Sequence, residues 1–240
     1  MKESLDSQIK AILFDLDGTL LEINLELFVS NYLKLLAQSV AHVIPPKKFI
    51  AKILKASKAV EENNGRKTNI ETYSNAFFPL EGHSREEIEP FFDEFYVKDF
   101  PNLQQYARRK PGARTVVQTA FDKGYDVVIA TNPLLPLTAI EQRLEWAGVP
   151  VEDFPYRLIT TIENSRATKS LTNLHYYEQI LKTIGYAAES CLMVGNENKD
   201  MIAGQLGMKT FLILNSNEES HQDMLVPTYK GELIDLLDLL

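Results

Sequence analysis

Apolar residues change their spacing several times along this chain, and each change marks a predicted element. Ile9 to Phe14 is apolar throughout except for Lys10, and Asp-Leu-Asp-Gly follows it. A short continuous apolar run ending on turn residues predicts a strand buried on both faces, as in a parallel sheet. From Glu22 to about Arg109 the spacing becomes helical. Leu25, Phe28, Tyr32, Leu35, Leu36 and Val40 fall on one face, and Pro45-Pro46 opens a second helix with Ile50, Ile53 and Leu54. Asn63-Asn64-Gly65 is a turn, and Ile70, Tyr73 and Phe77 mark a third helix. Ser84 with Glu87 has the form of a capping box ahead of Ile88, Phe91, Phe92 and Phe95. No strand is predicted in this block.

Strands and helices alternate again from Pro111. Predicted helices run from Pro111-Gly112 to Lys123, Pro136 to Ala147, Leu171 to Ile184, Met201 to Leu206 and Leu233 to Leu240. Predicted strands are Val127–Ala130, Tyr156–Thr160, Cys191–Val194 and Thr210–Leu214. Such alternation predicts an α/β fold, a Rossmann-like parallel sheet covered on both faces. The expected division is a core from residues 1–21 and 110–240, with an all-helical domain of residues 22–109 inserted in it. Ligands of such sheets bind at the carboxyl ends of the strands. Three of those ends carry polar residues: Asp15 and Asp17, Thr131 and Asn132, and Asn196 to Asp200.

Composition narrows the function. The chain has 240 residues, 45% hydrophobic, with a formal net charge of −8. That acidity argues against nucleic acid as a partner, since backbone phosphates are bound by clustered Lys and Arg. Arg108-Arg109-Lys110 is too short to reverse this and is predicted to be a solvated turn. No apolar stretch approaches the roughly 18 residues of a membrane span. The N-terminus lacks the pattern of a signal peptide. One cysteine, Cys191, allows no internal disulfide. A cytoplasmic protein without nucleic-acid or membrane partners is expected.

In an extended segment residues two apart face the same side, so Asp15 and Asp17 would share a small volume. Carboxylates that close repel by about 1 kcal/mol in water and about 4 near a protein surface. A proton or a cation relieves this, and a hard divalent ion takes oxygen ligands. An EF-hand calcium loop fails on spacing, because it needs glycine at position six and glutamate at twelve between two helices. A polar loop that caps the next helix is the plainer alternative.

Asp15-Leu16-Asp17-Gly18-Thr19 resembles the first motif of haloacid dehalogenase (HAD) superfamily phosphatases. Val128-Ile129-Ala130-Thr131-Asn132 is similar to the second motif, Lys169 to the third, and Val194-Gly195-Asn196-Glu197-Asn198-Lys199-Asp200 to the fourth. The helical block then resembles the cap of the subclass containing phosphoglycolate phosphatases and beta-phosphoglucomutases. The resemblance implies a Mg²⁺-dependent phosphatase acting on a small-molecule phosphomonoester. It makes Asp15 the nucleophile that forms an aspartyl-phosphate and Asp17 the acid and base. Thr131, Asn132 and Lys169 would hold phosphate, and Asp15, Asp17, Asn196 and Asp200 the Mg²⁺.

Two positions depart from the family pattern. Asn196 stands where the fourth motif usually has Asp, so Glu197 or Asp200 is a candidate to supply the missing charge. Ser170 follows Lys169 where Pro is common, and Arg166 is a second basic candidate. Arg66, Lys67 and Asn75 are candidates to face substrate from the helical block. A phosphomutase, a dehalogenase and a non-catalytic binding module are the alternatives. Asp17 weighs against the dehalogenase, because dehalogenases of the superfamily lack that second acid.

Overall fold

The computed structural model describes residues 5–214 and 225–240. In chain order the elements are β1 (Ala11–Phe14), β2 (Leu21–Ile23), α1 (Leu25–Ser39), α2 (Pro46–Glu61), α3 (Asn69–Phe77), α4 (Arg85–Lys98) and β3 (Ala107–Arg109). There follow α5 (Ala113–Asp122), β4 (Asp126–Ile129), α6 (Leu137–Trp146), β5 (Leu158–Ile159), α7 (His175–Ile184), β6 (Cys191–Gly195), α8 (Asn198–Met201), β7 (Lys209–Ile213) and β8 (Tyr229–Gly231).

Six strands form one parallel sheet in the order β5-β4-β1-β6-β7-β8. Because side chains alternate along a strand, a sheet covered on both sides needs two apolar sets. Ile12, Phe14, Val127, Ile129, Leu192 and Val194 enter one cluster, with α5 and α6. Ala11, Leu13, Val128, Ala130, Cys191 and Met193 enter the other, with α7. The expected α/β architecture is therefore present. β1 lies between β4 and β6, which the chain reaches in opposite directions, so its carboxyl end opens on the crevice where such folds bind ligands.

The first cluster continues into the helical insertion through Phe28, Phe49, Phe77, Phe95 and Phe100. Phe100 stacks on Trp146 of α6 at 5.5 Å, and Phe28 meets Trp146 edge-on at 6.5 Å. Polar contacts add direction to this packing. Thr68 caps α3 reciprocally with Glu71, as its Oγ1 accepts from the Glu71 N–H while Glu71 Oε2 accepts from the Thr68 N–H. The next residue, Asn69, is fully buried. Its Nδ2 donates to the carbonyls of Pro133 and Ala167 at 3.3 and 3.1 Å, and its Oδ1 accepts from Asn63 at 2.8 Å. The Asn69 and Ile70 amides donate to the Ser165 and Ile162 carbonyls. The start of α3 is thus tied to the loops after β4 and β5.

Several predicted elements are corrected. Strands do flank the helical block: β2 and β3 pair antiparallel, Leu21 opposite Arg109 and Ile23 opposite Ala107. Arg108-Arg109-Lys110 is accordingly no free turn. Arg108 pairs with Glu22, and Lys110 Nζ donates to the Gly18 carbonyl at 3.3 Å. The helix expected from Leu171 begins at His175, because Ser170 Oγ accepts the Thr172 amide in a local turn that competes with helix. The helix expected from Met201 starts at Asn198 and tightens to a 3-10 turn over Ile202–Leu206, and the last helix is 3-10 over Leu233–Asp238. β8 was not expected.

Asn69→Ala leaves two buried carbonyls and the Asn63 amide without these partners. It should destabilise the protein by about 2–4 kcal/mol. Urea unfolding checks this, and a change below about 1 kcal/mol would show that backbone bonds and apolar packing hold α3 without the Asn69 side chain.

Candidate active site

Asp15 stands one residue beyond β1, its amide bonded to the Val194 carbonyl at 2.9 Å. The loop after it is closely determined. The Leu21 amide donates to the Leu16 carbonyl and the Gly18 amide to the Leu21 carbonyl. Gly18 has φ of +77°, and a Cβ there would lie 2.5 Å from the Asn196 side chain. The positive φ favours glycine here, and a side chain would also force the Asn196 amide to move. The carboxyl ends of β1 and β6 thereby close on each other.

Lys169 sits at the centre of the site. Its ammonium donates to Asp15 Oδ1 and Asp200 Oδ1, each at 2.5 Å. All three residues are buried, Asp200 to 1% exposure. Asn132 Oδ1 accepts the Lys169 amide at 3.2 Å, so the loop after β4 places the loop that carries the lysine. Thr131 is buried, and its carbonyl accepts from Tyr176 Oη at 2.9 Å and Thr160 Oγ1 at 2.7 Å. Arg166, the other basic candidate, is exposed and donates to the Arg66 carbonyl instead. Arg66, Lys67 and Asn75 are exposed.

Two buried carboxylates share one ammonium, which leaves a surplus negative charge. Burial pushes the Asp15 carboxyl from 3.8 up to about 7, with Lys169 opposing and Asp200 adding to the rise. Burial would by itself lower the Lys169 ammonium, but Asp15 and Asp200 together hold it well above its ordinary range. The lysine therefore stays charged, and the surplus falls on Asp15.

The two candidates for a fourth-motif charge are placed differently. Asp200 Oδ1 faces Lys169 and its Oδ2 accepts the Glu197 amide at 3.1 Å, so both its oxygens serve the frame of the site. Glu197 is exposed, capping the short α8. Asn196 Oδ1 accepts from Thr19 Oγ1 at 3.2 Å. Among the described residues no three His, Cys, Asp or Glu side chains are grouped to hold a metal. Lys169 stands between the two buried acids, and an amide stands where the motif usually has a third. The side-chain donors that remain are the second oxygen of the Asp15 carboxylate and the Asn196 amide oxygen. They are hard oxygens beside a surplus negative charge, which fits Mg²⁺ in type.

Sequence reasoning missed Arg143. It is 3% exposed on α6, and its Nη2 pairs with Asp17 Oδ1. The signal was present, because Ala139, Ile140, Arg143, Leu144 and Trp146 form the buried face of that helix and one of them is charged.

Asp15→Asn removes the surplus charge. Without divalent cation at pH 8 it should stabilise the fold by on the order of 1–4 kcal/mol. The wild-type Asp15 binds its proton more tightly folded than unfolded, so its ionisation penalty is complete above about pH 7 and absent below about pH 4. The advantage of asparagine should shrink across that window as pH falls. Denaturant unfolding at several pH values checks it, and a destabilised variant at pH 8 contradicts the charge count.

Comparison with known proteins gives the family and the fold. A family model for haloacid dehalogenase-like hydrolases matches residues 9–207. No curated protein matches the chain. Solved structures of the same fold include a HAD phosphatase from Thermococcus onnurineus, 20% identical with a TM-score of 0.56, covering 95% of this chain and 96% of that one. The HAD-hydrolase YfnB from Bacillus subtilis, bound to magnesium, is 22% identical with a TM-score of 0.53 over 95% of this chain and 96% of its own. A dehalogenase with an intermediate is 14% identical with a TM-score of 0.57 over 98% and 99%. With the family model spanning most of its length and the motif residues gathered on one rim, the chain belongs to the haloacid dehalogenase-like hydrolases.

Proposed function

We propose that this protein is a Mg²⁺-dependent phosphatase that hydrolyses a small-molecule phosphate monoester through an aspartyl-phosphate. The observation that carries this reading is the pairing of Asp15 with Lys169 while a second carboxylate, Asp17, stands two residues on in the same loop. Relatives of this fold include both phosphatases and dehalogenases, so the fold does not choose between them. Asp17 favours the phosphatase, because an ester needs a proton for its leaving oxygen.

In this reading an Asp15 oxygen bonds phosphorus as the bond to the ester oxygen breaks, and Asp17 gives that oxygen its proton. Water then attacks phosphorus and gives a proton to Asp17, while the bond from Asp15 to phosphorus breaks. Lys169 offsets charge on Asp15 and on the phosphoryl oxygens, and Thr131 and Asn132 line the phosphate position. The Asp15 carboxylate, the Asp17 carbonyl and Asn196 would hold Mg²⁺, with Asp200 fixing Lys169. When bound, the ion neutralises phosphoryl charge and so admits a dianion to an acidic pocket.

Residues 22–109 act as the cap and residues 1–21 with 110–240 as the catalytic core. A cap seated over the rim excludes water and selects the substrate. No described helix is long and apolar enough to cross a membrane, and the net charge of −8 suits a small-molecule enzyme better than a nucleic-acid one. The buried free thiol of Cys191 accords with a reducing, cytoplasmic setting.

Phosphate release from a panel of phosphomonoesters, with Mg²⁺ or with EDTA, tests the reading. Turnover should need Mg²⁺ and fall on the order of 10³-fold or more in Asp15→Asn. Metal-independent release of halide from a haloacid, with no phosphate release, would replace it by the dehalogenase. Asn196→Asp should lower the Mg²⁺ needed for half-maximal rate about 10-fold, the size of one added charge near the ion. An unchanged metal titration would remove Asn196 from the metal site.

A further inference from the structure

Arg143 is costly where it stands. A guanidinium removed from water loses several kcal/mol unless it is paired and hydrogen-bonded. Arg143 is 3% exposed, and its Nε has no hydrogen-bond partner among the described residues. Its carbon lies 5.6 Å from the centroid of the Phe28 ring, which covers one face of the group. Its neighbours on the helix face, Ile140, Leu144 and Trp146, are apolar, and an apolar residue of similar volume would pack there without that penalty. Among the described residues, the polar contact it gains is the one to Asp17 Oδ1.

Asp17 has little backbone freedom of its own. Its loop is closed by the bonds from Leu21 to Leu16 and from Gly18 to Leu21, at 2.9 and 2.7 Å. Its side chain is 31% exposed, so what stays undetermined is the direction of the carboxyl group. Arg143 settles that direction. With Oδ1 accepting from the cationic guanidinium, a proton on Asp17 is favoured on Oδ2. The two acids of the loop are also served by separate cations, Lys169 for Asp15 and Arg143 for Asp17.

We propose that Arg143 is the positioning residue of Asp17, holding Oδ1 so that Oδ2 exchanges the proton with the leaving oxygen and then with water. This rests on Asp17 acting as the acid and base of the phosphatase. The role resembles that of a carboxylate that selects a histidine tautomer, with the orienting group here a cation. Phe28 belongs to α1, so the contact also joins the helical insertion to the orientation of Asp17.

The test compares leaving groups. An alkyl phosphate needs a proton on its departing oxygen, whereas p-nitrophenyl phosphate departs as a stable phenolate. In Arg143→Met, kcat/KM should fall about 100-fold for the alkyl ester and about 5-fold for the aryl ester. Arg143→Lys, which keeps one donor and the charge, should recover part of the alkyl loss. Equal losses on both esters would overturn the proposal, because a merely structural residue does not sense the leaving group. Unfolding of wild type, Asp17→Asn, Arg143→Met and the double variant measures the pair without catalysis. Coupling of at least about 5-fold in the unfolding constant supports it, and additive effects overturn it. If wild type with Mg²⁺ hydrolyses neither these esters nor any of the phosphomonoester panel, the phosphatase reading fails, and the unfolding cycle decides alone whether Arg143 holds Asp17.

Discussion

The ammonium of Lys169 lies 2.5 Å from an oxygen of Asp15 and 2.5 Å from an oxygen of Asp200, and the ends of three strands are arranged around those two contacts. A buried lysine is tolerated only where carboxylates meet it, and a buried carboxylate only where a cation or hydrogen bonds do. Each of these side chains therefore constrains the others. Asn132 sets the backbone of Lys169, the Glu197 amide sets Asp200, and Gly195 leaves room for the Asp200 carboxyl group, which a Cβ would meet at 2.2 Å. The arrangement remains one negative charge in excess. That surplus keeps Asp15 reluctant to ionise until another cation arrives, and it links the stability of the site to its ability to receive one.

The helical insertion is joined to this frame by two kinds of contact. Aromatic packing of Phe28 and Phe100 on Trp146 supplies apolar area without strong direction. Asn69 supplies direction, because its amide reaches the carbonyls of Pro133 and Ala167, which lie in the loops carrying Asn132 and Lys169. The insertion thus rests on the same two loops that place the site's polar side chains. The paired strands β2 and β3 form the stem where the chain leaves and re-enters the sheet. Lys110, just beyond that stem, reaches back to the Gly18 carbonyl in the loop that carries the two acids.

Much of this was legible in the sequence. Short continuous apolar runs ending on turn residues suit strands buried on both faces, and their alternation with helices suits a parallel sheet, so β1, β4 and β6 were evident. The helical spacing of Phe28, Ile53, Phe77 and Phe95 likewise marked the insertion. What was missed depends on pairing. The three residues of β2 become a strand because Ala107–Arg109 lies beside them, and no local period records a partner more than eighty residues away. The start of α7 was misplaced because a hydroxyl of Ser170 competes for an amide that a propensity argument assigns to the helix.

The site divides in the same way. By itself the sequence determined which residue types are available, because residue order places Asp15, Asp17, Thr131 and Asp200 at or just beyond strand ends that a parallel sheet brings together, while Lys169 stood out only through the resemblance. Only the tertiary structure decided how those groups are shared. It set Asp200 on Lys169 with both oxygens engaged, left Glu197 outside in solvent, and brought Arg143 from an apolar helix face onto Asp17. The physical reason is that a charge's role is set by its burial and its nearest opposite charge, and both come from segments distant in the chain.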